Sequence, residues 1–264
     1  MTLRQILAIH FQGHREAAKK RVQRLMATGY LNQRNRPIGQ AAIYSLTRRA
    51  FDIMQNDGLL TGLPKIGWTG HKKRLTVSSL TLEHELCVID CKAALTECVR
   101  ERSNLSLIEF STWPRLYQLH AFRSATGVKV LVKPDGFIRI GDTDALRTNS
   151  EQNFFLEVDR STESQIILAQ RLLCYRDYAR NGMASSRLRQ STPAHKKIAF
   201  RILLVLHSEE RRDNIAKHLL TLSPPVRTLV WLSTQEEFLR DPLGCVWLRP
   251  GDYLRESPTK IAML

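Results

Sequence analysis

The sequence has no apolar run near the roughly 18 residues needed to cross a membrane, and its N-terminus has no long apolar signal core. We therefore expect no membrane span and a cytoplasmic protein. No two of the five cysteines are spaced as Cys-x-x-Cys, so neither a zinc site nor a disulfide framework is indicated. Cys87, Cys91 and Cys98 repeat at helical spacing, which is typical of reduced core positions.

Acidic residues are scarce in the first 80 positions, which hold 14 Lys and Arg against 3 Asp and Glu, a net charge of +11. Positions 81–264 hold 26 and 22, a net charge of only +4. A strongly basic segment joined to a nearly balanced one is typical of a DNA- or RNA-binding domain attached to a second domain. A solvated basic surface, or one that faces a membrane, is the alternative interpretation.

The basic segment has the element order of a winged helix-turn-helix. Apolar periodicity and cap residues predict a short helix over residues 2–9, a basic helix over 15–26 and a third helix that begins after Thr47. Two strand-like runs flank the Gly- and Pro-containing stretch 33–40, which predicts a β-hairpin or wing. In such a module the basic helix enters the major groove and the wing contacts the DNA backbone. A basic helical bundle without a nucleic-acid role remains the alternative.

Ten basic residues in the first 80 positions are candidate DNA contacts. The last three lie in the Gly-containing stretch 62–79, which predicts a basic linker or mobile arm between a domain of residues 1–61 and a domain of residues 80–264. A second polar and basic stretch, 181–197, predicts either a loop near DNA or an insertion. The ten candidates are Arg15, Lys19, Lys20, Arg21, Arg24, Arg34, Arg36, Lys72, Lys73 and Arg74.

The second domain has the core order of a restriction-endonuclease-like fold, and its class is therefore α/β. Further helix and strand patterns after residue 209 should extend its sheet. The predicted elements are a helix over 82–100, strands over 105–110, 128–140 and 153–159, a helix over 163–180 and a strand over 200–206.

Three carboxylates occur at the ends of two strand-like runs. Asp135 follows Pro134, and Glu157 and Asp159 lie two positions apart after the apolar run 154–156. A period of two puts the latter two on one face of a strand, so that all three carboxylates can meet in one pocket. Hard oxygen ligands of this kind suit Mg²⁺ or Mn²⁺. We therefore predict that Asp135, Glu157 and Asp159 are metal ligands and catalytic residues.

The order Pro-Asp, then Glu-x-Asp, is a variant of the nuclease pattern PD…(D/E)-x-K in which Asp159 replaces the usual lysine. Phosphodiester cleavage benefits from a cation beside the nucleophile, and Lys133, Arg160 and Arg171 are the candidates. For each of them, the role of a salt-bridge partner or a phosphate clamp is commoner than that of a proton donor. A strand end followed by a turn and a helix cap explains the same carboxylates without any metal.

Together these motifs resemble the replication-relaxation family over nearly the whole chain. Three of them, His-Glu-Leu, Pro-Asp and Glu-x-Asp-Arg-x-x-Glu, are most similar to the MOBC class of plasmid relaxases. The resemblance implies a protein that nicks one DNA strand at a plasmid transfer origin during conjugation, with accessory mobilisation and coupling proteins as further candidate partners. The motifs are the winged-helix start, Leu82-Glu83-His84-Glu85-Leu86, Pro134-Asp135, the run from Glu157 to Glu163, Arg171-Leu172-Leu173-x-Tyr175 and Trp247.

Carried over motif by motif, the resemblance implies that Asp135 and Glu157 bind the metal and that Asp159 adds a third carboxylate. It also implies a contribution from His84 or Glu85 on the first helix of the domain. Adjacent helical residues point about 100° apart, so we expect only one of these two to face the metal. A backbone-bonded histidine and a solvated glutamate are the alternatives for them.

Two tyrosines of the predicted helix 163–180, Tyr175 and Tyr178, could attack the phosphate covalently, although packing is the commoner role of such residues. We prefer metal-activated water as the nucleophile. Two other functions remain open. One is a DNA-binding regulator of plasmid replication or transcription with a degenerate nuclease-like domain, and the other is a structural module of a transfer complex.

Overall fold

The computed structural model describes residues 1–34, 36–61, 67–116, 119–122, 129–144, 150–180 and 199–264. The chain forms two compact units, Met1–Glu97 and Cys98–Leu264. This division falls near the end of a long helix, whereas the predicted boundary was at residues 62–79. The basic stretch 181–197 lies outside the described residues. In the part of the chain that the structure describes, no helix is both long and apolar enough to cross a membrane.

Unit 1 contains the predicted succession of helix, basic helix, two-stranded hairpin and helix, which is confirmed. Its assignment as a winged helix stays a prediction. The last helix of the unit ends just beyond the division, at Arg100. The described elements are α1 (Leu3–His10), α2 (Arg15–Ala27), β1 (Leu31–Arg34), β2 (Ile43–Leu46), α3 (Arg48–Asn56), α4 (Trp68–Leu75) and α5 (Ser79–Arg100).

Threonine caps start two of these helices. The Thr2 hydroxyl accepts a hydrogen bond from the Gln5 N–H at 3.3 Å, and the Gln5 side chain accepts one from the Thr2 N–H at 2.8 Å, which forms a capping box. The Thr47 hydroxyl accepts one from the Ala50 N–H at 3.2 Å. Each such cap stabilises its helix by about 1 kcal/mol. The Gln5 amide also donates to the Leu86 carbonyl at 3.0 Å, so α1 is fixed against α5.

The stretch predicted as a linker contains a helix, which corrects that prediction. Trp68 and His71 of α4 pack against Phe51 of α3, with ring centroids 5.4 to 5.8 Å apart. The linker was predicted from glycines and a charged run. Gly67, however, forms the N-cap of α4, and the three rings provide the packing that the charged residues do not.

Unit 2 is a mixed α/β structure built on a five-stranded sheet of order β3-β6-β7-β8-β9. The β3–β6 and β6–β7 pairs are antiparallel, whereas β7–β8 and β8–β9 are parallel. The described elements are β3 (Leu105–Ser111), β4 (Leu119–Phe122), β5 (Lys129–Val132), β6 (Gly136–Asp142), β7 (Glu151–Asp159), α6 (Gln165–Arg180), β8 (Arg201–Leu206), α7 (Glu209–Thr221), β9 (Val230–Thr234), α8 (Gln235–Arg240) and a 3₁₀ helix (Pro250–Leu254).

The run 128–140, predicted as one strand, is two strands in two sheets. β5 pairs with β4 in a separate two-stranded sheet, and β6 pairs with β3 and β7 in the main sheet. Pro134 lies between them and has no N–H to donate to a ladder, so the chain changes partners there. The pairing of β6 with β7 in the main sheet begins at Gly136, which lies opposite Leu156.

The core of unit 2 lies between the sheet and helices α6 and α7. At its centre, the Phe155 ring contacts the rings of Phe137, Tyr175, Tyr178 and Phe200, with centroids 5.0 to 6.3 Å apart. Phe155 lies on β7 and the two tyrosines lie on α6. Their packing therefore fixes α6 over β7 and determines which α6 side chains reach the end of that strand.

Candidate catalytic site and nucleic-acid interface

Two carboxylates meet where β6 begins and β7 ends. The Asp135 N–H donates to the Leu156 carbonyl at 3.1 Å, and the Asp135 Oδ2 accepts a hydrogen bond from the Val158 N–H at 2.8 Å. These bonds to the two neighbours of Glu157 hold Asp135 beside it. Glu157 itself is only 1% exposed. The structure thus brings together the Pro-Asp and Glu-x-Asp motifs that the sequence analysis singled out.

The Glu157 carboxylate receives two side-chain donors from α6. Tyr175 Oη donates to Oε1, and Arg171 Nη1 donates to Oε2 at 3.1 Å. Arg171 Nη2 donates to the Glu163 carboxylate. Arg171 and Tyr175 are four residues apart, so they lie on the same face of the helix. The interpretation of Arg171 as a salt-bridge partner is therefore confirmed.

Burial raises the pKa of Glu157 to about 8, and the negative charge of Asp135 adds to the shift. Arg171 and Tyr175 oppose this shift without cancelling it. Burial, followed by the Glu157 charge, raises the pKa of Tyr175 well above its ordinary value. Burial lowers the pKa of Arg171, but Glu157 and Glu163 raise it by more, so this guanidinium stays charged. The centre of the site is a pair of carboxylates with one permanent cation against it.

Asp159 does not join this pair. Its Oδ2 accepts a hydrogen bond from Arg211 Nε at 2.8 Å, and its Oδ1 accepts one from Arg211 Nη2 at 3.3 Å. The two side chains are 5% and 14% exposed. The same Nη2 donates to the Glu163 carbonyl at 2.6 Å. Both carboxylate oxygens of Asp159 are therefore engaged by one guanidinium.

No group of three or more His, Cys, Asp and Glu side chains in the described ranges is placed to hold a metal ion. The predicted convergence of Asp135, Glu157 and Asp159 is thus not found, because Arg211 holds the third carboxylate. Two carboxylates still fit a Mg²⁺ site, since this ion takes one or two of them and keeps several waters. Burial, and after it the negative charge of Asp135, disfavours the ionised form of Glu157, and a bound cation would favour that form. The metal-binding and catalytic roles of these residues stay predictions.

Sequence reasoning missed Arg211, although a signal was present. Arg211 lies in the first turn of α7, where its N–H donates to the Ser208 hydroxyl that caps the helix, at 3.2 Å. β7 and β8 are parallel neighbours, with Asp159 opposite Leu206. The carboxyl ends of parallel strands lie at the same edge of a sheet, so a basic residue just after β8 is a natural partner for an acid that ends β7.

The structure places the other predicted site residues on a connection in unit 2 and on a helix in unit 1. Lys133 is exposed in the connection between β5 and β6. His84 and Glu85 lie on α5 within unit 1, where both are half-buried. Glu85 forms an ion pair with Arg74 of α4. Their contribution to a metal site stays a prediction.

The basic residues of α2 form an exposed charged surface on unit 1. The buried residues of this helix are Ala18 and Val22, on the opposite side. None of the basic ones has an Asp or Glu partner among the residues that the structure describes. They are Arg15, Lys19, Lys20, Arg21 and Arg24, and all five are exposed.

The remaining candidate DNA contacts differ in how they are engaged. Arg34 donates to two backbone carbonyls at 3.3 and 3.4 Å, and Arg36 donates to one at 3.2 Å. Arg74 is paired with a glutamate of α5. Lys72 and Lys73 are exposed on the last turn of α4. The basic residues of α2 and the two lysines at the end of α4 are therefore exposed, whereas Arg34 and Arg36 keep their charge but donate to backbone carbonyls.

Residues 1–192 match the replication-relaxation family. The chain belongs to this family. The match includes the Asp135–Glu157 pair together with Arg171 and Tyr175, whereas Arg211 lies beyond it. No sequence among curated proteins is significantly similar to the chain.

Among solved structures, the chain is similar to the restriction endonuclease FokI bound to DNA, at 14% sequence identity and a TM-score of 0.29. The similarity covers 91% of this chain and 41% of that protein, so the chain spans less than half of its length. A TM-score this low does not establish a shared fold. The restriction-endonuclease-like assignment of unit 2 therefore stays a prediction.

Proposed function

We propose that this protein is a metal-dependent relaxase that nicks one DNA strand at a plasmid transfer origin, as in the MOBC class. Membership of the replication-relaxation family supports a role in plasmid replication or relaxation. The single observation that carries the proposal further is the pair Asp135 and Glu157, two carboxylates held side by side at the end of a buried strand.

Asp135 and Glu157 are the proposed ligands of Mg²⁺ or Mn²⁺, an ion that supplies an activated water and charge neutralisation at the phosphate. Asp159 is left out of this set because both of its oxygens accept from Arg211. Its proposed role is to stabilise the turn between β7 and α6. The proposal thus rests on two protein ligands in place of the three that the sequence predicts.

Arg171 and Tyr175 are the proposed supporting residues of the site. Tyr175 donates to one oxygen of Glu157 and so orients the carboxylate. Arg171 holds a fixed positive charge against the other oxygen. A guanidinium has five N–H donors, so Arg171 retains donors for a phosphate oxygen in addition to its two glutamates. This would place a cation where the usual nuclease lysine is missing.

Water is the proposed nucleophile. Tyr178 is buried in the aromatic core, and Tyr175 is fully buried with its hydroxyl bonded to Glu157. The raised pKa of Tyr175 also disfavours the phenolate that would have to attack. The products should therefore be free DNA ends, and Tyr178→Phe should retain cleavage. A DNA adduct that survives denaturation, and that is lost in Tyr175→Phe or in Tyr178→Phe, would contradict this route.

A non-catalytic DNA-binding regulator is the second candidate function. The observation that favours it is the engagement of two of the three predicted carboxylates by arginines, Glu157 by Arg171 and Asp159 by Arg211. Under this alternative both arginines keep these contacts permanently, and the site never holds a metal. Origin binding without any strand cleavage would be the expected behaviour.

Nicking of supercoiled plasmid DNA in Mn²⁺ separates the two functions. Glu157→Gln should reduce nicking by about 100-fold or more, the effect of losing a few kcal/mol of transition-state stabilisation. DNA affinity should be almost unchanged. Glu151→Gln is the matched control, because Glu151 begins the same strand and is exposed. Normal nicking by Glu157→Gln would refute the assignment, and binding without nicking by the wild type would favour the regulator.

A further inference from the structure

The tip of the β1–β2 hairpin carries an aliphatic side chain that the rest of the described chain leaves uncovered. The Gln40 N–H donates to the Pro37 carbonyl at 3.2 Å, which closes a four-residue turn. Gly39, the third residue of this turn, has a φ of +87°, as a type II turn requires. Ile38 is the second residue, and its relative exposure is 106%. The turn therefore holds an isoleucine outward at the end of a hairpin.

Two arginines hold the hairpin in place through hydrogen bonds to backbone carbonyls. Arg36 Nη1 donates to the Ala41 carbonyl at 3.2 Å, across the turn from it. Arg34 donates to the Leu75 and Val77 carbonyls at 3.4 and 3.3 Å, which anchors β1 to the end of α4. Within the described residues, neither arginine has an Asp or Glu partner. The hairpin that carries this apolar tip therefore also carries two arginines whose charge no acidic side chain of the described residues offsets.

The exposure of Ile38 differs from that of the other apolar residues on unit 1. Leu59 is 66% exposed and Ile53 is 39% exposed, so each is partly covered by its surroundings. Single exposed apolar residues are common on protein surfaces and need no function. What distinguishes Ile38 is its place at the tip of a hairpin, in a segment of residues 1–80 with a net charge of +11.

The partner that fits both features is duplex DNA. It is polyanionic, which suits the two arginines, and a narrow minor groove attracts arginine side chains. It also offers an apolar site, because isoleucine and similar side chains insert between base steps from the minor groove, unstack them and kink the duplex.

We propose that Ile38 is a wedge that enters the minor groove and unstacks one base step of the bound DNA. The inference rests on the proposed DNA binding and is independent of metal binding or cleavage. Flexible pyrimidine–purine steps such as TA are the expected targets, since they unstack most easily. Local opening of this kind would expose a single strand to a nicking site.

Permanganate and diethyl pyrocarbonate, which modify unstacked thymines and adenines, test the wedge on a DNA fragment selected by its affinity for the full chain. The wild type should increase the reactivity of one or two bases inside its footprint. Ile38→Ala should remove this increase but weaken binding by less than about tenfold, because phosphate contacts supply most of the affinity. Ile38→Leu should keep it, and Leu59→Ala is the matched control for loss of an exposed aliphatic.

The outcomes separate this proposal from the proposed function. A footprint with no reactive base, or reactivity that persists in Ile38→Ala, overturns the wedge and leaves DNA binding intact. The absence of any footprint overturns DNA binding and the wedge together. Loss of reactivity in Leu59→Ala as well would show a general effect of surface truncation and would also refute the specific role of Ile38.

Discussion

Arg211 and Asp159 lie 52 residues apart in the sequence and form an ion pair with two hydrogen bonds, of 2.8 and 3.3 Å. The same guanidinium donates to the Glu163 carbonyl, so it joins both ends of the turn between β7 and α6. Ser161 in this turn has a φ of +62°, in the left-handed region that non-glycine residues rarely adopt. Arg211 therefore fixes the turn from which Glu163 reaches Arg171.

Asp159→Ala should destabilise the protein by roughly 3–5 kcal/mol, because it leaves the Arg211 charge buried without its partner. Chemical denaturation of the full chain measures this change. Asp52→Ala is the control, since its pair with Arg48 is 43% and 60% exposed and should contribute less than about 1 kcal/mol. Equal effects of the two substitutions would show that the Asp159–Arg211 pair is not structural.

The stability of the metal-free protein should fall as the pH rises from about 5 to about 8. The folded protein keeps a proton on Glu157 up to a pKa of about 8, whereas the unfolded chain releases it near 4.5. The folded state therefore binds more protons in this window, and its free energy of unfolding decreases with pH. Glu157→Gln lacks this group, so the difference between variant and wild type isolates it.

Denaturation in EDTA at several pH values checks this expectation. Relative to the wild type, Glu157→Gln should become progressively more stable between pH 5 and 8, with no further gain above that range. A difference that is constant across the window would mean that Glu157 titrates normally in the folded protein. Glu157 would then ionise without the help of a cation, and its raised pKa would no longer be a reason to expect a metal at this pair.

Neutralisation of the α2 surface should flatten the salt dependence of DNA binding. Each lost phosphate contact reduces the slope of log affinity against log salt by about 0.9, so the substitution of Lys19, Lys20, Arg21 and Arg24 by alanine should reduce it by up to about 3.6. Folding should be nearly unaffected, because all four side chains are exposed. Fluorescence anisotropy over a range of salt concentrations measures the slope.

Arg48→Ala is the control for this series, since Arg48 is exposed but already paired with Asp52. It removes a positive charge and should barely change the slope. If the α2 variant keeps the wild-type slope, α2 is not the DNA surface. The hairpin arginines and the lysines of α4 would then be the next residues to substitute.

The carboxylate pair was predictable from the sequence because its determinants are local. Asp135 follows a strand-breaking proline, and Glu157 lies two residues before the end of β7, so an ordinary antiparallel pairing brings them together. The ion pair of Asp159 was not predictable from local pattern. It depends on which strand lies beside β7, and the parallel neighbour β8 begins about 40 residues later along the chain.

Residues 62–79 were predicted as a linker because of their glycines and basic charge. Gly67 and the basic run 72–74 are typical of a linker, yet Trp68 and His71 pack on Phe51 and make the stretch 68–75 a helix. The composition of residues 62–79 does not show this packing, because the Phe51 ring belongs to the preceding helix, α3. The hairpin and the capping threonines, which depend on short-range hydrogen bonds, were predicted correctly.

Anomalous diffraction from crystals soaked in Mn²⁺ at a pH above 8 locates the ion itself and so shows whether the carboxylate pair binds a metal. We predict one Mn²⁺ bound by carboxylate oxygens of Asp135 and Glu157 at about 2.0 to 2.6 Å, with Asp159 still paired to Arg211. Crystals of Glu157→Gln, soaked in the same way, should lack this ion. An ion bound elsewhere in unit 2 would show that Asp135 and Glu157 are not the metal site. The same would follow if the wild-type protein nicks DNA while Arg171 stays bonded to Glu157 and no ion is bound.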